Sequence, residues 1–522
     1  MNPCLCLILS LAQNGAGGDW TALHAPSLCA APVPHGHPPA LWDGDHIRPL
    51  ASRAETRARP PGPRLPLATV AQMLEEDARA HGNPLELFRG SPLLLARGNP
   101  AALERARTLL ADLERQGRAL AIELKVTLRE IAPGAPSDAQ PAGAAALEES
   151  ARIDSGAEAF FGARGSESFV ESFEVEVAAD SGVSRPQVSE IATGTTLHVS
   201  AARLSQGGSI FLSGLFDHAQ VAERAAFETG SSDLGQLEQP RVEVLQCAFA
   251  GVVENGKRLE LELAGKPGGS RWLVGIEART TPDKPEAEAD GWRVLDLSFV
   301  ARDVRALPRL GPGALLLGQF SWSEESPPST ALPPSAVAAS LEDGRAAAAG
   351  GRAPAPMYWT DELLLLPRSD AALGARALAL VAGAEALRGR TNLAQVEPAG
   401  AKARFPVASG FPARFLFGSE RPYLIGYRTE LAPQTWMPVP EVATGFDGVC
   451  VWIGPRDDSA SCAAWSVRSA APRVLSREEA RLGRMQSLSR ELRSADCRLE
   501  LGDPPAELFS GADKLRLGLA PR

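Results

Sequence analysis

The chain has 522 residues, 44% apolar and 22% charged, with 53 basic against 63 acidic side chains and a net charge of −10. Such usage is globular and, at about 150 residues per domain, predicts three or four domains; it excludes a disordered chain, a collagen and a disulfide-dense mini-protein. An acidic chain with only six lysines is not built to neutralise phosphate backbones, so no nucleic-acid partner is expected.

Cys4 to Leu11 is a short apolar run, and Ser10-Leu11-Ala12 offers small residues where a signal peptidase reads. Residues 1–12 are therefore expected to be a signal peptide and the protein to be exported. Residues 13–63, rich in Pro, Gly, His and Arg, read as a leader or linker. A helix is predicted from Thr69 to about Ala80, ended by Gly82, followed by extended pieces at Leu85–Phe88 and Ser91–Arg97. Asn99-Pro100 opens a second helix, with Leu103, Ala106, Leu109, Leu110 and Leu113 at helical spacing. Leu120–Ile131 alternates as a half-buried strand, completing an α/β module over 64–131.

A Pro/Ala/Gly-rich linker is expected over 132–165, then a β-rich module over 166–280. Its strands are predicted at Phe173–Val177, Thr196–Val199, Ile210–Phe216, Arg241–Phe249, Arg258–Leu263 and Trp272–Ala278. After a linker at 281–290, Gly291–Val300 is strand-like and opens a second α/β module over 291–390; a second β-rich module follows over 391–475. Ser476–Ser494 reads as a charged amphipathic helix at the head of a C-terminal tail, 476–522. No run reaches membrane-helix length; the Ala-rich stretch Ala371–Leu387 is broken by Arg376 and Glu385.

The tandem order rests on internal repetition. Leu65–Glu76 aligns with Leu332–Asp343, and Ser91–Leu103 with Asp361–Leu373. Gly165-Ser-Glu167 recurs as Gly418-Ser-Glu420, and Ala192-Thr-Gly194 as Ala443-Thr-Gly445. Phe169, Phe173, Glu176 and Ala178 recur as Tyr423, Tyr427, Glu430 and Ala432. The expected fold class is α+β, in two units that are each an α/β module followed by an antiparallel β-rich one.

No catalytic, cofactor or metal site is predicted. Gly251–Lys257 has the spacing of a phosphate loop, but Arg258 replaces the magnesium-binding Ser or Thr. Asn255-Gly256 between two alternating strands reads instead as a hairpin. His35, His37, Asp43, Asp45 and His46 fall in the Pro-rich leader, where nothing fixes metal-ligand geometry. His198 and His218 stand alone in β-rich sequence, and Glu148-Glu149 and Glu174/Glu176 read as solvated faces. The seven cysteines (4, 6, 29, 247, 450, 462 and 497) match no zinc spacing. Cys450 and Cys462 flank the polar stretch Gly454–Ser461; they are either a cross-strand disulfide or two independent thiols.

The α/β module resembles the periplasmic, KH-like N-domains of secretins, the outer-membrane channel proteins of type II and type III secretion, nearest to divergent planctomycete-type members. The resemblance is carried by the Leu93-Leu94-Leu95 strand and the helix running from Asn99-Pro100 through Leu113. Ala121–Ile131 resembles the strand leading into the secretin β-domain, whose start resembles Phe173–Val177 through Gly194-Thr-Thr-Leu-His-Val199 and Ile210-Phe-Leu212. Ser213-Gly-Leu-Phe216 is similar to the end of the family's gate segment, without the Pro-rich gate before it. The resemblance implies a non-enzymatic envelope protein of the periplasm or outer membrane, acting in protein secretion or as a scaffold. Its partners would be copies of itself, joined through the N-domain-like modules, or other secretion proteins. No cofactor is implied, and membrane association is peripheral or through a barrel of several copies. The alternatives are a periplasmic adaptor without a ring, and an enzyme with dispersed site residues.

Overall fold

In the computed structural model of the chain, the described residues are 21–26, 64–90, 93–132, 146–178, 181–205, 208–229, 234–264, 269–280, 291–301, 332–348, 356–432, 435–456, 459–475, 484–509 and 514–522. The expected signal peptide, the His35–His46 cluster and the 281–290 linker lie outside them. Most of the structure is β, with helices confined to two small modules, broadly consistent with the α+β class.

The chain begins with β1 (Thr21–His24), α1 (Leu67–Ala80), β2 (Leu85–Gly90), β3 (Leu93–Gly98) and α2 (Pro100–Ala119). The strands pair antiparallel in the order β1-β3-β2. Asn99 caps α2 as predicted, its Oδ1 accepting the Ala102 amide at 2.7 Å. Ala102, Ala106, Leu109, Leu110 and Leu113 then form the buried stripe. β1 falls in the expected leader, and the buried Leu23 is what ties it to Leu94 of β3.

Next come β4 (Ala121–Ile131), β5 (Ala146–Asp154), β6 (Glu158–Val177), β7 (Gly182–Arg203), β8 (Ser209–Glu228), β9 (Gln236–Glu254), β10 (Arg258–Ala264) and β11 (Arg271–Thr280). A second small module follows: β12 (Trp292–Asp296), α3 (Ser298–Ala301), α4 (Pro334–Ala348), β13 (Tyr358–Trp359), β14 (Leu363–Pro367) and α5 (Ala371–Arg388). Its strand order is β12-β14-β13, and Asp370 caps α5 through the Leu373 amide at 2.9 Å. All five residues of β14 are buried, which explains four consecutive leucines where a half-buried strand would alternate. The chain closes with β15 (Thr391–Pro398), β16 (Ala403–Ala408), β17 (Ala413–Ala432), β18 (Thr435–Arg456), β19 (Ser459–Leu475), β20 (Met485–Glu500), β21 (Ala506–Leu508) and β22 (Leu515–Pro521).

These strands form two eight-stranded antiparallel sheets. The long strands run in the order β20-β19-β18-β17-β9-β8-β7-β6, the short ones in the order β21-β22-β15-β16-β10-β11-β4-β5. Between them lies the main core, with Phe161, Phe216, Phe405 and Phe415 fully buried. Alternating side chains of both sheets supply it, as in any sandwich.

Three sequence readings are overturned. The 132–165 linker contains β5 and the first residues of β6; Ala151, Ile153, Ala157, Ala159 and Phe161 alternate into the core there. Of the expected Ser476–Ser494 helix, 476–483 lie outside the described residues, and 485–494 belong to β20, which pairs with β19 from Ser459↔Glu500 to Leu475↔Met485. Its charged residues favour a helix locally, but Cys497 and Leu499 reach the core only at strand periodicity, so tertiary pairing overrides propensity. Asn255-Gly256 turns the chain, with Gly256 at φ 76°. Yet β9 and β10 belong to different sheets, so the turn is a corner and not a hairpin. The Asn255 side chain holds that corner, accepting from the Thr280 amide at 2.9 Å and donating to its carbonyl at 3.3 Å. Strand pairing also continues past 475 to Pro521, beyond the expected second β-rich module.

Candidate assembly surfaces

The two halves of the chain share the main core and several smaller clusters, and three junctions between them bear on assembly. In the long-strand sheet, β9 pairs with β17 from Ala248↔Arg414 to Val242↔Glu420. In the short-strand sheet, β10 meets β16 at Glu262↔Arg404. Between the small modules, α1 and α2 of the first cover one face of the β12-β14-β13 sheet. Leu109, Leu113, Trp292, Tyr358, Leu363 and Leu365 share that core.

Polar contacts fix this third junction. Gln116 of α2 donates to the Trp292 carbonyl at 2.8 Å and accepts from the Val294 amide at 2.8 Å. Arg368 and Asp112, exposed by 3% and 7%, form an ion pair at 3.0 Å. The Tyr358 hydroxyl donates to Glu76; burial and that carboxylate push the phenol well above its ordinary range. Nearby, Arg64 and Asp296 pair at 2.8 Å with 3% and 5% of their side chains exposed. Asp296 also accepts the Ser298 amide at 3.0 Å.

The sheets and small modules also have open surfaces. β6 and β20 are the edges of the long-strand sheet, and β5 and β21 those of the short-strand sheet. Among the described residues their backbone groups form no ladder on the outer side, which leaves a template for another strand. On the small modules, Phe88 of β2 is 47% exposed and Leu380 of α5 is 41% exposed. Beside Leu380, a side chain added at Gly383 would meet nothing within 4 Å. Four more large apolar side chains, Val183, Leu431, Trp436 and Val474, are exposed at the ends of the long hairpins.

The residues singled out in the sequence take structural positions. Cys450 and Cys462 lie on neighbouring strands but do not meet. Cys450 is the partner of Trp465 and Leu416, while Cys462 is the partner of Ile453 and Cys497. They belong to different core clusters, on opposite faces of the sheet. His198 stacks on Phe160 at 4.5 Å and lies 3.4 Å from Glu158. His218 shares a hydrogen bond with Thr195 at 2.8 Å and packs on Trp272; burial lowers its pKa. Glu148 pairs with Lys125, whose hydrogen bond and charge lower its pKa, and Glu176 lies 3.7 Å from Arg185. Gly251–Lys257 leads into strand β10, not the helix a phosphate loop needs. Among the described residues, no three His, Cys, Asp or Glu side chains gather as a metal site, and no helix is long and apolar enough to cross a membrane. Sequence reasoning missed the open edges, because an edge is defined by its absent neighbour.

No protein-family model matches the chain, and no curated protein matches it. Among solved structures it is similar to the secretin-domain β-barrel of InvG from the Salmonella SPI-1 injectisome. That alignment has 13% identity and a TM-score of 0.23, over 52% of this chain and 91% of that one. It is similar to the Escherichia coli K12 type II secretin GspD at 12% identity and a TM-score of 0.20, over 41% of this chain and 61% of that one. The Klebsiella pneumoniae outer membrane complex of PulD, PulS and PulC gives 11% identity and a TM-score of 0.23, over 74% of this chain and 61% of that one. These are partial likenesses of fold.

Proposed function

We propose that this chain is a non-enzymatic, exported envelope protein that assembles head to tail with copies of itself, in protein secretion or as an envelope scaffold. The chain is read as a tandem duplication in which each end presents the half-junction that the middle satisfies. The observation that carries the reading is the match between the open surfaces and the internal junctions.

Strand register supports the duplication. Gly156 and Gly410, both at positive φ in tight turns, stand 254 residues apart (410 − 156). The same step takes Phe161 to Phe415, and the bulge at Val170/Ser172 to the bulge at Leu424/Gly426. It also takes the Phe173↔Pro186 pair to the Tyr427↔Pro440 pair. By these equivalences β17 corresponds to β6 and β9 to β20. A β20 edge meeting β6 of the next copy then repeats the β9–β17 junction. In the small modules, Tyr358 and Leu109 are buried at the internal junction. Their counterparts are the exposed Phe88 and Leu380. The chain also repeats Trp292-Arg-Val-Leu295 as Trp20-Thr-Ala-Leu23.

Head-to-tail contacts of this kind close into rings when the rotation per subunit divides a full turn. The exposed Val183, Leu431, Trp436 and Val474 would give such a ring apolar hairpin ends suited to a membrane surface. A second reading, an adaptor that binds an extended segment of another protein along β6 or β20, uses the same open edges without a ring.

The test is register-specific cross-linking of the full chain. Phe417↔Leu245 inside the chain corresponds to Ala163 of one copy against Arg493 of the next. A variant carrying A163C and R493C should oxidise to a ladder of disulfide-linked chains. The pair A163C and S494C, one residue off register and on the opposite face, should not. A single-chain product for both pairs, with a monomer mass in light scattering, removes the assembly reading.

A further inference from the structure

We propose that Cys462 and Cys497 form a reversible disulfide that clasps edge strand β20 to β19. The two residues are direct cross-strand partners. Opposed Cα atoms in an antiparallel ladder lie about 4.5–5.5 Å apart, inside the 4.4–6.8 Å window that disulfides occupy. Both side chains point to the face that packs on the short-strand sheet: Cys462 is in that core and Cys497 lies against it. The two thiols share a hydrogen bond. The four cysteines among the described residues are not bonded to one another in the structure. The other two have no such partner, since Cys247 faces Phe216 and Phe415, and Cys450 faces Leu416 and Trp465.

The difference in exposure sets an order of events. Cys462 is 3% exposed, and Cys497 is only partly buried. Donation from the Cys462 thiol favours the Cys497 thiolate. Cys497 therefore attacks an incoming disulfide, either glutathione disulfide or an oxidised protein dithiol, and one thiol of that oxidant leaves. Cys462 then loses its proton, attacks the Cys497 sulfur of the mixed disulfide and displaces the second thiol. Two protein thiols are oxidised to one S–S bond and one external disulfide is reduced to two thiols. Export to an oxidising compartment would supply the oxidant. The bond ties down the outermost strand of the sheet, the one that carries the proposed contact with the next copy. Only that consequence rests on the assembly reading; the bond lies within one chain.

The experiment is a non-reducing tryptic map of the full-length protein after native incubation with glutathione disulfide. Cleavage after Arg456, Arg468, Arg493 and Arg498 leaves peptides 457–468 and 494–498, each with one cysteine. The expected result is these two peptides joined, losing two titratable thiols and separating on reduction. In C462S, Cys497 should be trapped as a glutathione adduct; in C497S, Cys462 should stay free. Recovery of both peptides unjoined from the native protein, with free or separately glutathionylated thiols, overturns the proposal. The readout is the same for a monomer and a ring, so its failure and that of the assembly reading are separable.

Discussion

Leu109 and Leu380 are read as the same residue in two copies, so the same truncation should have two different consequences. Leu109 is 7% exposed at the junction between the small modules. Removing its side chain there should cost about 2–5 kcal/mol of folding stability, the range for buried leucines. Leu380 is 41% exposed. Full burial of a leucine is worth about 1.5–3 kcal/mol, so covering the remaining two-fifths contributes about 0.6–1.2 kcal/mol to assembly. L380A should therefore weaken each contact between chains about 3- to 8-fold. L380D should abolish the contact, because it places an unpaired carboxylate against the apolar face around Phe88. Urea unfolding measures the first effect, and light scattering across a dilution series measures the second. The reasoning is refuted if L380D assembles like the parent protein, or if L109A leaves the unfolding midpoint unchanged.

Three further outcomes follow from the packing. R64A should destabilise the protein by about 3–5 kcal/mol in urea, because it leaves Asp296 charged and buried without its partner. Glu385 has its pKa raised by burial, opposed by hydrogen bonds from the Ser205 amide and hydroxyl at 2.7 Å. A raised folded-state value gives stability that is full below the ordinary carboxylate range and is lost as pH climbs through the folded value. E385Q should remove that part of the pH dependence in urea titrations from pH 4 to 8. Oxidation of Cys462 and Cys497 closes a loop of about 35 residues (497 − 462), which chain entropy values at about 4 kcal/mol. The oxidised protein should melt higher than the reduced one, and C497S should show no difference between the two conditions.

The small modules were the most legible part of the chain. Asn99-Pro100 and the Leu103–Leu113 stripe are local signals, and the cap and buried face of α2 follow them. The long hairpins were only glimpsed. Phe173–Val177 is the last quarter of β6, and the rest of that strand runs through Gly162, Gly165 and Ser166, which carry no strand preference of their own. Their pairing with β7 is set by long-range register, from Glu158↔Ser200 to Val177↔Gly182. The motif match of Ala192-Thr-Gly194 to Ala443-Thr-Gly445 shows the same limit. On the duplication reading, the ladder takes Arg164↔Gly194 to Gly418↔Gly448, so this motif match is three residues off the 254-residue step shared by bulges and turns, while Gly165-Ser-Glu167 to Gly418-Ser-Glu420 is one residue off. The cysteines failed for a related reason. Proximity in sequence suggested Cys450 with Cys462, but Cys462 is the partner of Ile453, an odd number of residues from Cys450 along β18, so the pleat puts the two thiols on opposite faces, and the neighbour of Cys462 comes from the next strand.

Duplication within one chain changes the physics of a head-to-tail assembly. Every second junction becomes intramolecular, and its two surfaces meet at the effective concentration set by the connecting polypeptide. Lost translational and rotational freedom then opposes only half of the junctions in a closed ring, the half that joins separate chains. The covalent junctions also diverge freely from the open ones. At the internal junction Phe417 and Leu245 are partners, whereas the positions that the proposed duplication makes their counterparts carry Ala163 and Arg493. An apolar pair is tolerable where it is always covered, and small or charged residues suit edges that each new chain exposes until it is incorporated. A ring built this way holds an even number of units whatever its size. Its junctions alternate between a permanent seam inside each chain and a seam between chains that is open to control.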